Sequence, residues 1–189
     1  MGVTRDVSRP TATIEKGRPT MPADTTAGQD DLKSRLPDPS QFVPELWDIG
    51  GGMTKAQENG SISPALIALV QLRLGQHFDS TYHTIGQTRI LRALGESEER
   101  ITAVATWRDT PRYFTEAEQV ALELVDATFT PNPAGERVPD ELFARACAHY
   151  DDRALVTLCM ALGRSCFFIP LTLIGKPIAG RPAGENWTR

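Results

Sequence analysis

Ser80, His83 and Gln87 are spaced i, i+3 and i+7, so one helix would carry a hydroxyl, an imidazole and an amide along a single stripe. These side chains can do chemistry together. An imidazole titrates near neutral pH, so His83 can move a proton alone, or it can act as base toward the Ser80 hydroxyl one turn away. Gln87 and Tyr82 can hydrogen-bond a substrate oxygen, or simply pack. Ser80 has a second reading as the N-cap of that helix, and His83 has one as a histidine satisfied by a backbone or hydroxyl partner. His77 precedes the stripe with Asp79 two residues on; His77, Asp79 and His83 could converge on a metal, although the spacing matches no standard ligand signature. Arg164 is the remaining candidate. It interrupts an apolar run, so it must find a partner or line a cavity, where a substrate carboxylate could meet it.

The elements that must position these groups are helical. Leu66, Ile67, Leu69, Val70, Leu72 and Leu74 are apolar on more than one face, which predicts a buried helix opening at Ser63-Pro64. A break over 75–80 offers Asp79 or Ser80 as N-cap for a second helix, on which Ile90, Leu91 and Leu94 continue an apolar face before Gly95 ends it. The stripe would then sit at a helix N-terminus, where free N–H groups and a partial positive charge gather.

Downstream, Ser97 caps a short helix holding Ile101 and Val104, and the segment 107–111 breaks it. Thr115 and Glu118 form a capping box, followed by Val120, Ala121, Leu124 and Val125 at helical spacing. A loop spans 130–135. Pro139-Asp140-Glu141 opens a helix facing Leu142, Phe143, Ala146 and Cys147, and Asp151-Asp152 caps a last one from 153 to about 174, which Pro170 should kink or shorten. Gly50-Gly51-Gly52 reads as a flexible turn; no Gly-Lys-Ser/Thr follows, so it is no phosphate loop. No segment alternates as a strand. The expectation is an all-α fold of about six or seven helices.

With 189 residues, 40% hydrophobic and 23% charged, the chain suits one soluble domain plus extra length. Six of the fourteen prolines fall in the first 44 residues among small polar ones, so 1–40 is expected to be a flexible tail, 41–178 the helical domain and 179–189 an irregular end. A net charge of −4 without a block of like charges points away from nucleic acid. Thr157, Arg164, Ser165 and Pro170 interrupt the apolar run 154–174, which favours a core helix over a membrane span. Three cysteines, an odd number, without an export signal argue against a disulfide framework and for a cytoplasmic protein. Cys147, Cys159 and Cys166 read as small hydrophobes.

The segments Leu69-Val70-Gln71-Leu72-Arg73, Gly95-Glu96-Ser97-Glu98-Glu99-Arg100-Ile101, Ala105-Thr106-Trp107-Arg108-Asp109-Thr110-Pro111 and Phe114-Thr115-Glu116 resemble the carboxymuconolactone decarboxylase and alkylhydroperoxidase D-like family. The resemblance covers about residues 38–175 and implies an all-helical fold assembling as trimers or hexamers. The thiol branch of that family uses a Cys-x-x-Cys-x-x-x-His motif with a glutamate twelve residues earlier. The matching positions here are Ser80, His83, Gln87 and Ala68, and all four depart from it. Disulfide cycling needs an attacking and a resolving thiol, so peroxidase chemistry is not expected. The decarboxylase branch carries polar groups there, typically a histidine and an acid; this chain has His83 and, nearby, only Asp79.

The reading that follows is an enzyme needing no cofactor, in which His83 moves a proton on a small organic molecule with Ser80 and Gln87, while Tyr82, His77 and Arg164 contact the substrate. Decarboxylation, isomerisation or elimination would suit it. One alternative is a binding or structural paralogue that keeps the fold and oligomer; a weaker one is a metal site at His77 and His83. Neither nucleic acid nor membrane is an expected partner.

Overall fold

Ser63 starts the helix that the others surround. Its hydroxyl accepts from Leu66 N, and Pro64 occupies the first turn, where a missing N–H costs nothing. This helix, α2 (Pro64–His77), is apolar all round, and nine of its 14 residues are buried. The computed structural model describes residues 1–2, 32–182 and 184–188; residues 3–31, most of the expected tail, lie outside the described residues. Among the described residues there are six further α-helices and no strand: α1 (Leu46–Gln57), α3 (Thr81–Ala93), α4 (Glu98–Ala103), α5 (Glu116–Phe129), α6 (Asp140–Cys147) and α7 (Asp152–Gly175). The all-α expectation holds.

On one side of α2, Leu69 and Leu72 meet Leu91 of α3, Ile101 of α4, Leu122 of α5, and Val104, Trp107 and Phe114 from the connecting segment. On the other, Ile67, Val70 and Leu74 meet Ala121 and Val125 of α5 and Leu158, Ala161, Leu162 and Ile169 of α7. Each fully buried leucine contributes roughly 2 kcal/mol of transfer free energy. Gln71 sits in this apolar interior because its amide donates to Gln57 Oε1 and to Ala161 O, both at 2.9 Å, tying α1, α2 and α7 together.

Local signals set the boundaries. Thr115 and Glu118 form the capping box of α5, and the side chains of Ser97 and Asp151 cap α4 and α7. Gly95 takes a left-handed φ of 86° after α3, and Glu96 N donates to Leu91 O across it, the hydrogen-bonded close of a helix that only glycine forms without strain.

One expectation fails. Gly50-Gly51-Gly52 is not a turn but the middle of α1. Helical glycine costs about 1 kcal/mol each, yet α1 packs along α7, and a Cβ on Gly50 would stand 3.4 Å from the Phe168 ring. Tertiary packing overrides propensity here. Pro170 does not shorten α7, which runs through it to Gly175. Its missing N–H leaves one carbonyl without a helical donor, while Ile169 and Thr172, both buried, hold the helix on either side. α7 is long and apolar enough to cross a membrane, but its apolar residues Ala154, Leu158, Ala161, Leu162 and Ile169 belong to the core.

The described end of the expected tail is not separate from the helices. Ser34 N donates to Thr188 O and Arg35 N to Gly175 O, each at 2.7 Å, so residues 34–36 lie along the end of α7 beside the described non-helical residues 176–182 and 184–188.

Candidate active site

The turn from α2 into α3 builds the site. Asp79 takes a left-handed φ of 51°, Ser80 N donates to Gly75 O at 2.8 Å, and the chain reverses within three residues. Gly75 makes the close approach possible: a Cβ there would stand 3.0 Å from His83 Cβ and 3.1 Å from Thr84 N. His83 is thereby pressed against the end of α2.

Ser80 occupies the N-cap position of α3 by backbone, yet its side chain makes no capping bond. The hydroxyl instead lies 2.8 Å from His83 Nδ1, and Thr172 Oγ1 of α7 lies 3.4 Å from both. Thr172 gives its own proton to Ile169 O at 2.9 Å. All three side chains are buried. Thr172 therefore faces Ser80 and His83 as an acceptor, and the ring is held from behind through Nδ1. Its Nε2 has no protein partner among the described residues and opens on a cleft.

That cleft, about 1070 Å³, lies between α1, α3 and α7 and is rimmed by residues 38–40 and by the segment from Gly180. Tyr82, His83, Gln87 and Arg164 line it together; Phe168 and Thr172 of α7 join them. Neither Tyr82 nor Phe78 fills it: the Tyr82 hydroxyl accepts from Asn186 Nδ2 at 2.8 Å, and Phe78 packs edge-on against Phe129. Ser80 stands behind His83 and does not reach the cleft.

Burial pushes the His83 imidazole down to about 4, and the Arg164 guanidinium adds to this. At neutral pH the ring is therefore uncharged. If the Ser80 hydroxyl donates to Nδ1, Nε2 carries the hydrogen toward the cleft; if Nδ1–H donates to Ser80, Nε2 offers a lone pair. Burial also lowers the Arg164 pKa, with Glu58 and Tyr82 pulling the other way. Arg164 Nε and Gln87 Oε1 are both buried without a hydrogen-bond partner among the described residues.

His77 is not part of this site. It ends α2 on the other side of the turn, between the Phe78 and Phe129 rings, with Nε2 3.2 Å from Phe129 O, and it lines a different cavity. His77, expected beside the substrate with His83, does not line the cleft that His83 lines, because the reversal at Asp79 sends residues 77 and 83 to different surfaces. The same reversal separates the two imidazoles proposed to share a metal, and among the described residues no three His, Cys, Asp or Glu side chains converge on a cation position.

Trp107 and Arg108 serve the fold. The buried Asp126 carboxylate of α5 accepts from Arg73 Nε at 2.6 Å, from Trp107 Nε1 at 3.0 Å and from Arg108 Nη1, which holds its pKa below the carboxylate range against the opposing effect of burial. Cys147 and Cys159 are exposed rather than packed as small hydrophobes, Cys166 is half-buried, and none lines the cleft. Thr172 escaped the sequence reading. Its only signal was a hydroxyl eight residues after Arg164 in an apolar helix, which puts both on one face.

The model of the carboxymuconolactone decarboxylase family matches residues 43–127. The chain is 31% identical over 125 residues to the uncharacterized protein YdfG of Bacillus subtilis (strain 168), a stretch covering 66% of this chain and 82% of that one. It is 30% identical over 108 residues to the uncharacterized protein YnjA of Escherichia coli (strain K12), 57% of each. Among solved structures it is similar to ATU0492 from Agrobacterium tumefaciens, a protein of unknown function proposed to be an antioxidant defence protein AhpD, with a TM-score of 0.69 and 22% identity over 79% of this chain and all of that one. It is also similar to the debrominase Bmp8 with bound 2,3,4-tribromopyrrole, with a TM-score of 0.64 and 18% identity over 79% of each chain. At these identities the structural likeness is one of fold.

Proposed function

The chain belongs to the carboxymuconolactone decarboxylase family, and on that premise we propose a cofactor-independent enzyme in which His83 transfers a proton on a small organic molecule. One observation carries this reading: a buried neutral imidazole is fixed through Nδ1 by Ser80, with Thr172 packed beside the pair, while Nε2 faces a cleft large enough for a substrate. With the Ser80 hydroxyl donating to Nδ1, a ring held near 4 is a weak base that presents Nε2–H as a hydrogen-bond donor, which suits work on an oxygen that gains negative charge. Decarboxylation, isomerisation and elimination share such a stage. A bond at carbon breaks, its electron pair moves onto a conjugated oxygen, and a proton returns to carbon or leaves from it.

Ser80 acts in this scheme as a positioning residue, not a nucleophile, because its hydroxyl is committed to His83 and shielded from the cleft. Gln87 and Tyr82 orient the substrate. Thiol cycling has no place, since Ser80 and His83 stand where a disulfide would form. Bmp8 holds a small ring compound on the same fold, which supports a small molecule as ligand. We also propose assembly into a trimer or hexamer, supported by Phe42, Trp47, Val156 and Ile174, which are 71%, 62%, 62% and 64% exposed.

The experiment is incubation of the protein in D2O with a panel of lactones, 2-oxo acids and enolisable ketones, followed by NMR for deuterium uptake or loss of CO2. Turnover by wild type that disappears in His83→Gln with the fold intact supports proton transfer. Turnover that survives in His83→Gln, or none on any compound, favours the binding paralogue.

A further inference from the structure

Arg164 and Gln87 carry opposite unmet needs in the same cleft. The guanidinium projects from α7 without an ion pair among the described residues, and its Nε is buried and unpartnered. The Phe168 ring, 5.8 Å from it, offers only a cation–π contact. The Glu58 carboxylate acts on Arg164 without a direct salt bridge among the described residues, so a partly buried guanidinium keeps bonding capacity that an anion in the cleft would use. Gln87, 7% exposed, has an Oε1 that receives no donor. It asks for a hydroxyl or N–H. Lys55, Arg89 and Arg164 line the cleft against two carboxylates, Asp38 and Glu58, so the field favours an anion. Arg89 is committed to the Gly180 carbonyl, which leaves Arg164 as the inner anchor. One planar guanidinium fits one carboxylate.

We propose that the molecule taken by this cleft carries a single carboxylate bound by Arg164 and a hydroxyl or N–H donor bound by Gln87, with the part between them presented to His83 Nε2. This rests on the proton-transfer reading of the same site and names its substrate class. A consequence follows from the neighbourhood of the imidazole, which includes Arg164 of α7, Tyr82 of α3, Lys55 of α1 and Glu58 just after it. A carboxylate on Arg164 cancels the positive charge that opposes protonation of His83. Ligand and proton therefore bind together.

Calorimetric titration of the full chain with acetate, benzoate, 4-hydroxybenzoate and uncharged phenol tests this. At least one carboxylate is expected to bind wild type, at least tenfold more weakly to Arg164→Gln, with partial recovery in Arg164→Lys and no change for phenol. Gln87→Met should weaken 4-hydroxybenzoate more than benzoate, and the bound carboxylate should raise the pH at which His83 protonates. A stability measurement stands beside these: Arg164→Met, which deletes a partly buried charge without a direct salt bridge among the described residues, should melt no lower than wild type. Failure of every carboxylate to bind, binding indifferent to Arg164, or a clearly lower melting temperature for Arg164→Met would overturn the assignment. Because binding is read without turnover, Arg164-dependent binding by an inactive protein would sink the proton-transfer reading and leave this one standing.

Discussion

Ser80 Oγ and His83 Nδ1 lie 2.8 Å apart at the start of α3, and Thr172 Oγ1 stands 3.4 Å from each across the packing of α7. The contact spends the hydroxyl that would otherwise cap the helix, and it leaves Nε2 as the ring's free face. Ser80→Ala is expected to cost about 1 kcal/mol of stability, the net worth of one buried hydrogen bond. It should lower kcat more than it raises KM, because the imidazole loses its orientation rather than its substrate. Urea unfolding and steady-state kinetics read the two effects. A nucleophilic serine would instead give complete loss of turnover and an acylated species by intact-mass spectrometry.

The depressed His83 pKa also shapes stability. In the unfolded chain the ring protonates near its ordinary value of 6.5, whereas in the fold it stays neutral down to about 4. Between these values the unfolded state holds more protons, so stability rises with pH. The contribution is fully present above pH 6.5 and is lost as pH falls toward 4, on the order of 3 kcal/mol in all. His83→Gln should flatten this part of the curve, measured by urea unfolding of both proteins at pH 7.5 and 4.5.

Gly75 couples α2 to the site. In Gly75→Ala the new methyl meets His83 Cβ at 3.0 Å and the Thr84 backbone at 3.1 Å, and the backbone can yield only by moving α3. Overpacking costs roughly 1–3 kcal/mol, offset by about 1 kcal/mol of helix propensity. The expected outcome is a small net loss of stability with a drop in kcat of about tenfold or more from the displaced imidazole. A variant as active as wild type would show that the site tolerates looser positioning.

Asp126 tests the fold apart from the cleft. Asp126→Asn removes the charge that Arg73, Trp107 and Arg108 share. Breaking a buried pair from one side should cost about 3 kcal/mol. Thermal unfolding should show it, while carboxylate binding at the cleft stays unchanged below the new melting temperature.

The stripe of Ser80, His83 and Gln87 was legible because helical period alone places them together, and Arg164 stood out as a cation in an apolar run. Directions were not legible. His77 is six residues from His83, yet the left-handed turn at Asp79 aims it at Phe129. Thr172 was hidden for another reason: a hydroxyl in an apolar helix ordinarily bonds its own backbone, as Thr172 does to Ile169 O, and only the packing of α7 on α3 reveals its second contact. The glycines at 50–52 read as a turn because their helix is held by α7, a partner a hundred residues away in the chain.

The central claim is that His83 is a desolvated, neutral imidazole held through Nδ1. Nitrogen-15 NMR of the histidine side chains across pH 3.5–8, with His83→Gln for assignment and Ser80→Ala for comparison, measures this directly. The expected result is a His83 ring that is neutral at pH 7, protonates near 4, and shifts its Nδ1 signal when Ser80 loses its hydroxyl. A ring titrating near 6.5 and indifferent to Ser80→Ala would contradict it, for then the imidazole would be solvated and unheld.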